Sequence, residues 1–209
     1  MFAADPQIGV FVVASILVIL IPGQDMVLVL SRGLTRGPRA GVLTAAGVSV
    51  GLLGHTVLAA MGLGALLLSS DGLFIAIKWI GAAYLAYLGV KLIRSASAGL
   101  ATDGTDGAAH GNVFVEGLVS NIANPKITVF YFAFLPQFID ADSQQPAVEL
   151  LLYGSAFALL TFAMKAPVGL FAGLTAAWIH RRPRVLLAIN RVSGLLLISL
   201  ALALALDPR

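Results

Sequence analysis

Long apolar runs separated by short polar segments dominate the chain. Each run is continuous over roughly 20 to 30 residues, which is long enough for a helix to cross the hydrocarbon core of a bilayer. The strands of an outer-membrane barrel would instead alternate apolar and polar residues over segments of about ten. The pattern therefore predicts an all-α membrane protein. Its six transmembrane helices are expected at 7–30, 40–68, 73–94, 113–138, 147–179 and 185–206.

Two of these runs contain helix-breaking residues in their interiors. The breaks are Pro22-Gly23-Gln24-Asp25 in the first run and Asn124-Pro125-Lys126 in the fourth. Proline has no amide hydrogen, so the carbonyl groups freed at each break must meet protein or water inside a bilayer. Paired breaks of this kind, in corresponding places of two halves, point to the binding site of a transporter.

The surroundings of the two breaks align along the chain. Phe11 precedes Pro22 by the same number of residues as Phe114 precedes Pro125, which indicates an internal duplication. The predicted units are a first three-helix repeat at 1–94, a polar linker at 95–112 and a second three-helix repeat at 113–209.

Basic residues concentrate in the loops that follow the first, third and fifth spans. They are Arg32, Arg36, Arg39, Lys91, Arg94, Arg181, Arg182 and Arg184, whereas the alternate loops hold almost none. The positive-inside rule makes the basic loops and the linker cytoplasmic and puts both termini on the periplasmic or extracytoplasmic face. With three spans in each half, the two repeats enter the membrane from opposite sides and form an inverted repeat.

Asp25 and Lys126 are opposite charges beside the two breaks. Because a buried charge costs less when it is paired, we predict that they face each other across the repeat interface. The alternative is that the two side chains reach opposite membrane interfaces. The free amides and carbonyls of broken helices also suit the two charges of a zwitterion, which favours an amino-acid substrate.

Four further polar residues lie inside the apolar runs. Lys165, near Pro167, is either a second cationic site for a substrate carboxylate or a base whose stem reaches an interface. His55 is either a proton relay or a neutral packing residue. Asn121 and Asn124 are either neutral substrate ligands or interhelical hydrogen-bond formers.

Composition excludes several other classes of protein. The chain has no cysteine, which removes disulfides, thiolate metal sites and cysteine catalysis. Its 13 Lys and Arg form no stripe that would bind nucleic acid, and no cluster of His, Asp and Glu suits a metal. The segment Gly47-Val48-Ser49-Val50-Gly51 matches a hydrolase nucleophile elbow, but inside a helix small residues at this spacing indicate packing.

Over nearly its whole length the sequence resembles the LysE/RhtB-type amino-acid exporters. The matching segments are Pro22-Gly23-Gln24-Asp25-Met26, Ser31-Arg32-Gly33, Gly81-Ala82-Ala83-Tyr84-Leu85, Tyr87-Leu88-Gly89, Asn124-Pro125-Lys126 and Phe134-Leu135-Pro136-Gln137-Phe138. The resemblance implies efflux of amino acids across the bacterial inner membrane, driven by the proton motive force without cofactor or ATP. Gln24 departs from the family pattern, which usually has a second proline there.

The residues and the resemblance together predict a secondary exporter of amino acids or close derivatives. The expected partners are the amino acid, protons and membrane lipid, with no nucleic acid, no metal and no catalytic residue; a homodimer is left open. The predicted substrate-binding residues are Pro22, Gly23, Gln24, Asp25, Asn121, Asn124, Pro125, Lys126 and Lys165, and the proton-coupling residues are Asp25 and His55. Alternatives are export of another small solute or a metal cation, an intramembrane enzyme, or a scaffold subunit.

The predicted topology is testable because the chain has no cysteine of its own. In intact cells an impermeant maleimide should label Asp142→Cys, which is expected outside, and should spare Gly104→Cys in the linker. The reverse labelling pattern would overturn the orientation.

Overall fold

The computed structural model describes residues 6–21, 23–69, 71–94, 111–139 and 143–206. In these ranges all regular structure is helical, which confirms the predicted all-α class. The α-helices are α1 (Pro6–Leu20), α2 (Gln24–Arg36), α3 (Pro38–Ser69), α4 (Asp71–Arg94), α5 (Val113–Ile122), α6 (Pro125–Phe134), α7 (Pro146–Leu170), α8 (Ala172–Arg181) and α9 (Pro183–Leu206). A short 3-10 helix at Leu135–Phe138 follows α6.

Both predicted helix breaks are present. The axes of α1 and α2 are bent by 58° relative to each other, and Gly23 adopts an extended conformation just before α2 begins. Pro22 itself lies outside the described residues. In the second half, Ala123 and Asn124 separate α5 from α6, and Pro125 is the first residue of α6, where its missing amide hydrogen costs nothing.

The chain itself provides partners for carbonyl groups at the end of α1. The amide of Ile21 donates to Val18 O at 3.2 Å, which tightens the last turn. The Ser193 hydroxyl of α9 donates to Leu17 O at 3.0 Å. Unpaired carbonyls are costly in an apolar environment, so these contacts stabilise the interrupted end of α1.

The fifth predicted span is also interrupted. It forms α7 and α8, with Phe171 as the single residue between them. Pro167 lies in the last turn of α7, where the Phe171 amide donates to the Pro167 carbonyl at 2.9 Å. Proline inside a helix removes one hydrogen bond and favours such an interruption.

The predicted basic loop after the first span is wrong. Arg32 and Arg36 lie within α2, and Gly37 is the only residue between α2 and α3. Gly37 has φ +91°, a backbone conformation that side chains with a Cβ rarely adopt, which allows this one-residue joint. The helix continues past Leu30 to Arg36, and both arginines contact a carboxylate on α5.

The number of spans is supported only in part. Among the described residues, two helical stretches are long and apolar enough to cross a membrane, Pro38–Gly62 and Pro146–Leu170, and the bent pair α1–α2 would make a third. Large apolar side chains such as Met61 and Leu159 are about 70% exposed, at 73% and 70%, as expected for contact with lipid. The protein is a helical membrane protein, and the six-span inverted repeat stays a prediction.

The main apolar core is rich in aromatic rings. It joins α1, α3, α4, α6, α7 and α9 around Phe11, Tyr131, Phe134 and Phe157. Phe11 packs edge-on against Phe138 with ring centroids 5.1 Å apart, and Phe130 stacks on Phe134 at 4.9 Å. None of the described residues of α2, α5 or α8 belongs to this core.

Glycine pairs set the closest helix crossings. A Cβ added to Gly41 of α3 would lie 2.5 Å from the carbonyl oxygen of Gly169 on α7. Gly47 and Gly51 of α3 also lie close to α5, Gly47 against its backbone and Gly51 against the Asn121 side chain. This confirms that the small residues of the second span serve helix packing. The elbow-like pattern around Ser49 therefore lies inside the continuous helix α3.

Replacing Gly41 by alanine should destabilise the protein by about 1–3 kcal/mol, because the new methyl group meets backbone rather than a flexible side chain. The midpoint of thermal unfolding in detergent should fall accordingly. Gly173→Ala is the control, since a Cβ there meets nothing within 4 Å. Equal midpoints for the two variants would contradict the close crossing.

Candidate functional site

Asp25 is buried at the beginning of α2. It is 5% exposed and lies in the first helical turn, immediately after the break. A helix N-terminus presents free amide groups and a partial positive charge, so it favours a carboxylate at this position. The break that the sequence shows thus has a direct electrostatic role.

Two side chains from other helices meet one oxygen of this carboxylate. The Asn121 amide of α5 donates to Asp25 Oδ2 at 2.9 Å, and Lys165 Nζ of α7 lies 3.4 Å from the same atom. The second oxygen, Oδ1, is buried and has no hydrogen-bond partner among the described residues. Oδ2 therefore contacts both an amide and an ammonium group, whereas Oδ1 can still accept a hydrogen bond.

His55 of α3 extends this group. Its ring is 2% exposed, and Nε2 lies 3.2 Å from the backbone oxygen of Asn121. Nδ1 is buried without a partner in the part of the chain described. Asn121 fits between Asp25 and His55 because Gly51 of α3 has no side chain. A Cβ at Gly51 would lie 2.8 Å from the Asn121 side chain. Asp25, His55, Asn121 and Lys165 form the inner cluster.

Lys165 is the described partner of Asp25. It is 8% exposed, so its stem does not carry the charge to a membrane interface. Burying an ion pair is costly, and only close geometry with further hydrogen bonds compensates for it. Lys126 lies in α6 with its side chain outside the described residues, so the Asp25–Lys126 contact stays a prediction.

The other predicted site residues lie around the two breaks. Gln24 Nε2 is 3.5 Å from the Ser120 hydroxyl of α5, and Gly23 supplies the backbone just before α2. Asn124 lies between α5 and α6, where its carbonyl accepts from the Ile127 amide at 3.0 Å. Pro125 begins α6, and its side chain is outside the described residues.

The sequence reasoning missed Glu116, an acid in the first turn of α5. Arg32 Nε donates to Glu116 Oε2, and Arg36 Nη1 lies 3.4 Å from Oε1. Arg36 also donates to the Gly111 carbonyl at 2.9 Å. The available signal was the spacing of the two arginines, which are one helical turn apart and point to one face of a continued α2. These residues, Arg32, Arg36 and Glu116, form the outer cluster.

Apolar helices that break beside a buried acid and a buried base define the class of this molecule. In secondary transporters, discontinuous helices create binding sites for small polar solutes inside the membrane. These features are typical of helical membrane transporters.

The chain belongs to the LysE type translocator family, whose profile matches residues 16–208. This assignment confirms the predicted family. The chain is 31% identical to an uncharacterized membrane protein of Pseudomonas aeruginosa over 211 residues, covering 96% of this chain and 97% of the relative. No solved structure matches it.

Two further relatives carry functional names. The chain is 32% identical to a homoserine/homoserine lactone efflux protein of Salmonella typhimurium over 195 residues, covering 93% of this chain and 94% of the relative. It is 28% identical to a leucine efflux protein of the same organism over 196 residues, covering 93% and 92%. The family shows that the protein is a membrane translocator and not an enzyme.

Lys165→Met should destabilise the protein by about 3–5 kcal/mol, because it leaves the Asp25 carboxylate buried without its cation. The double variant Asp25→Asn with Lys165→Met should regain a large part of this loss, since it removes both charges. Thermal unfolding of the purified protein in detergent, at neutral pH, measures both effects. Additive losses would show that the two charges do not interact.

Proposed function

We propose that this protein is a secondary active exporter of amino acids or close derivatives, and that the inner cluster holds the substrate. The observation that carries the proposal is the buried Asp25–Lys165 ion pair, at 3.4 Å, beside a helix break. The leucine and homoserine efflux proteins among its relatives support the substrate class. Both named solutes are α-amino acids, apart from the lactone form of homoserine.

The inner cluster offers one partner for each charge of an amino acid. Asp25 has a carboxylate oxygen available for the substrate ammonium. The Lys165 ammonium suits the substrate carboxylate, and the Asn121 amide adds a neutral donor. A zwitterion that enters between Asp25 and Lys165 replaces one ion pair by two, so no buried charge is left unpaired during binding.

Proton coupling follows from the same carboxylate. When Asp25 is protonated it no longer attracts the substrate ammonium, so a proton and the amino acid compete for one group. Protonation from outside then releases the substrate outward, and deprotonation toward the cytoplasm restores the site. His55 reaches Asp25 through Asn121, since Asn121 contacts the imidazole by its backbone and the carboxylate by its side chain.

The setting of this cycle is also part of the proposal. It includes the bacterial inner membrane, six spans in an inverted repeat, and both termini on the periplasmic or extracytoplasmic face. The distribution of Lys and Arg and the equal spacing of the two breaks support this arrangement. Export of another small solute or of a metal cation is the alternative.

Asp25→Asn should reduce pH-driven efflux at least tenfold, because asparagine cannot exchange a proton for the substrate ammonium. Efflux of radiolabelled L-leucine and L-homoserine from proteoliposomes, with an imposed pH gradient, measures this. Glu149→Gln is the matched control, since Glu149 lies in the first turn of α7 and accepts from Ser143 instead. Full pH-driven efflux by Asp25→Asn would exclude Asp25 as the proton-coupling residue. Loss of coupling in His55→Ala alone would assign that role to His55.

The zwitterion requirement is tested with the same vesicles. N-acetyl-leucine lacks the ammonium and leucinamide lacks the carboxylate, so neither should compete with L-leucine efflux. Equal competition by either analogue would show that the inner cluster does not recognise that charge.

A further inference from the structure

Three polar contacts join α2 to α5. They are Gln24–Ser120, Asp25–Asn121 and Arg32–Glu116. The beginning of α2 contacts the C-terminal part of α5, and Arg32, later in α2, contacts Glu116 near the beginning of α5, so the two helices run antiparallel. Since α2 belongs to the first half of the chain and α5 to the second, these contacts bridge the halves.

The outer cluster closes one end of this seam. Arg32 follows Asp25 by seven residues, which is two helical turns or about 10 Å along α2. Both oxygens of Glu116 contact arginines of α2, and Arg36 also reaches the backbone at Gly111, just before α5 begins. The outer cluster therefore holds the C-terminal end of α2 against the N-terminal end of α5.

The two clusters differ in their exposure. The side chains of Arg36 and Glu116 are 26% and 20% exposed and that of Arg32 is 11% exposed, whereas those of Lys165 and Asp25 are 10% and 7% exposed. Water screens the Arg36–Glu116 pair most, so this pair separates at a lower cost than the inner pair.

The attachment of α2 permits movement. It is a 13-residue helix with Gly23 before it and Gly37 after it. A Cβ at Gly37 would meet nothing within 4 Å, so the surroundings do not clamp this joint. Besides the polar seam, α2 packs on α3, α7 and α8. Met26 and Leu30 contact Ala172, and a Cβ at Gly33 would lie 2.5 Å from the Gly169 carbonyl oxygen. These contacts are made with helices other than α5.

We propose that the outer cluster is an ion-pair gate, and that α2 moves away from α5 when Arg32 and Arg36 release Glu116. The opened seam then gives the substrate a polar path to the inner cluster. This proposal rests on the proposed function in one respect: the inner cluster is taken as the substrate site to which the path leads. The movement of α2 itself is independent of what is carried.

The labelling rate of a buried cysteine in α2 measures how often α2 moves away from α5. Val29 is fully buried and lies between Asp25 and Arg32 at helical spacing, so Val29→Cys is a reporter in a chain without other cysteines. In proteoliposomes, membrane-permeant N-ethylmaleimide should label it at least fivefold faster when Glu116→Gln is added. Glu149→Gln is the matched control and should leave the rate unchanged.

The charge-swapped variant Arg32→Glu and Arg36→Glu with Glu116→Arg keeps both ion pairs with opposite signs, so it should return labelling to the rate of the Val29→Cys parent. This variant also decides the case in which Glu116→Gln does not fold. An unchanged rate in Glu116→Gln, or a fast rate in the swapped variant, would overturn the gate.

A second measurement tests the consequence for transport. Arg32→Cys with Glu116→Cys, joined by a reducible bis-methanethiosulfonate, should lose efflux, and a reductant should restore it. Unchanged efflux after cross-linking would show that the seam need not open. The two proposals can fail separately. If Glu116→Gln speeds the labelling of Val29→Cys as expected but Asp25→Asn still exports, the inner cluster is not the substrate site, and the ion-pair gate is still supported.

Discussion

The buried ion pair between Asp25 and Lys165 constrains the rest of the structure. A charge pair at this depth is tolerable only with close geometry and supporting hydrogen bonds. The start of α2 provides the first support, because the break puts the carboxylate in a first helical turn. Asn121 provides the second, and it reaches the carboxylate only because Gly51 lets α5 approach α3. The breaks, the glycines and the polar residues of three helices thus serve one interaction.

The sequence was most informative where a residue's effect is local. Proline and glycine identified both breaks. A charge in an apolar run was expected to need a partner, and Asp25 has one in Lys165. The identity of that partner was not accessible. Lys126 and Lys165 both lie in apolar runs, and Lys165 is 140 residues from Asp25, so the choice depends on how α7 is rotated against α2.

The extent of α2 was misjudged for a related reason. Arginines after an apolar run usually mark a loop, and the sequence alone predicts one at Arg32 and Arg36. Glu116 lies far along the chain, but it faces both arginines and lets the helix continue to Arg36. The seam between α2 and α5 is a tertiary feature, and neither helix reveals it alone. The family, by contrast, was recognisable from short segments because each has a distinctive order of residues.

The one-residue joint at Gly37 makes α2 a lever. With 13 residues and a rise of 1.5 Å for each, the helix is about 20 Å long, and Asp25 lies near the end remote from the joint. A rotation of about 10° at Gly37 would therefore displace that end by roughly 3 Å, which exceeds the tolerance of a hydrogen bond. The aromatic core contains none of the described residues of α2. The short joint would thus let a small angular change at one end of α2 make or break the contacts of the Asp25 carboxylate at the other.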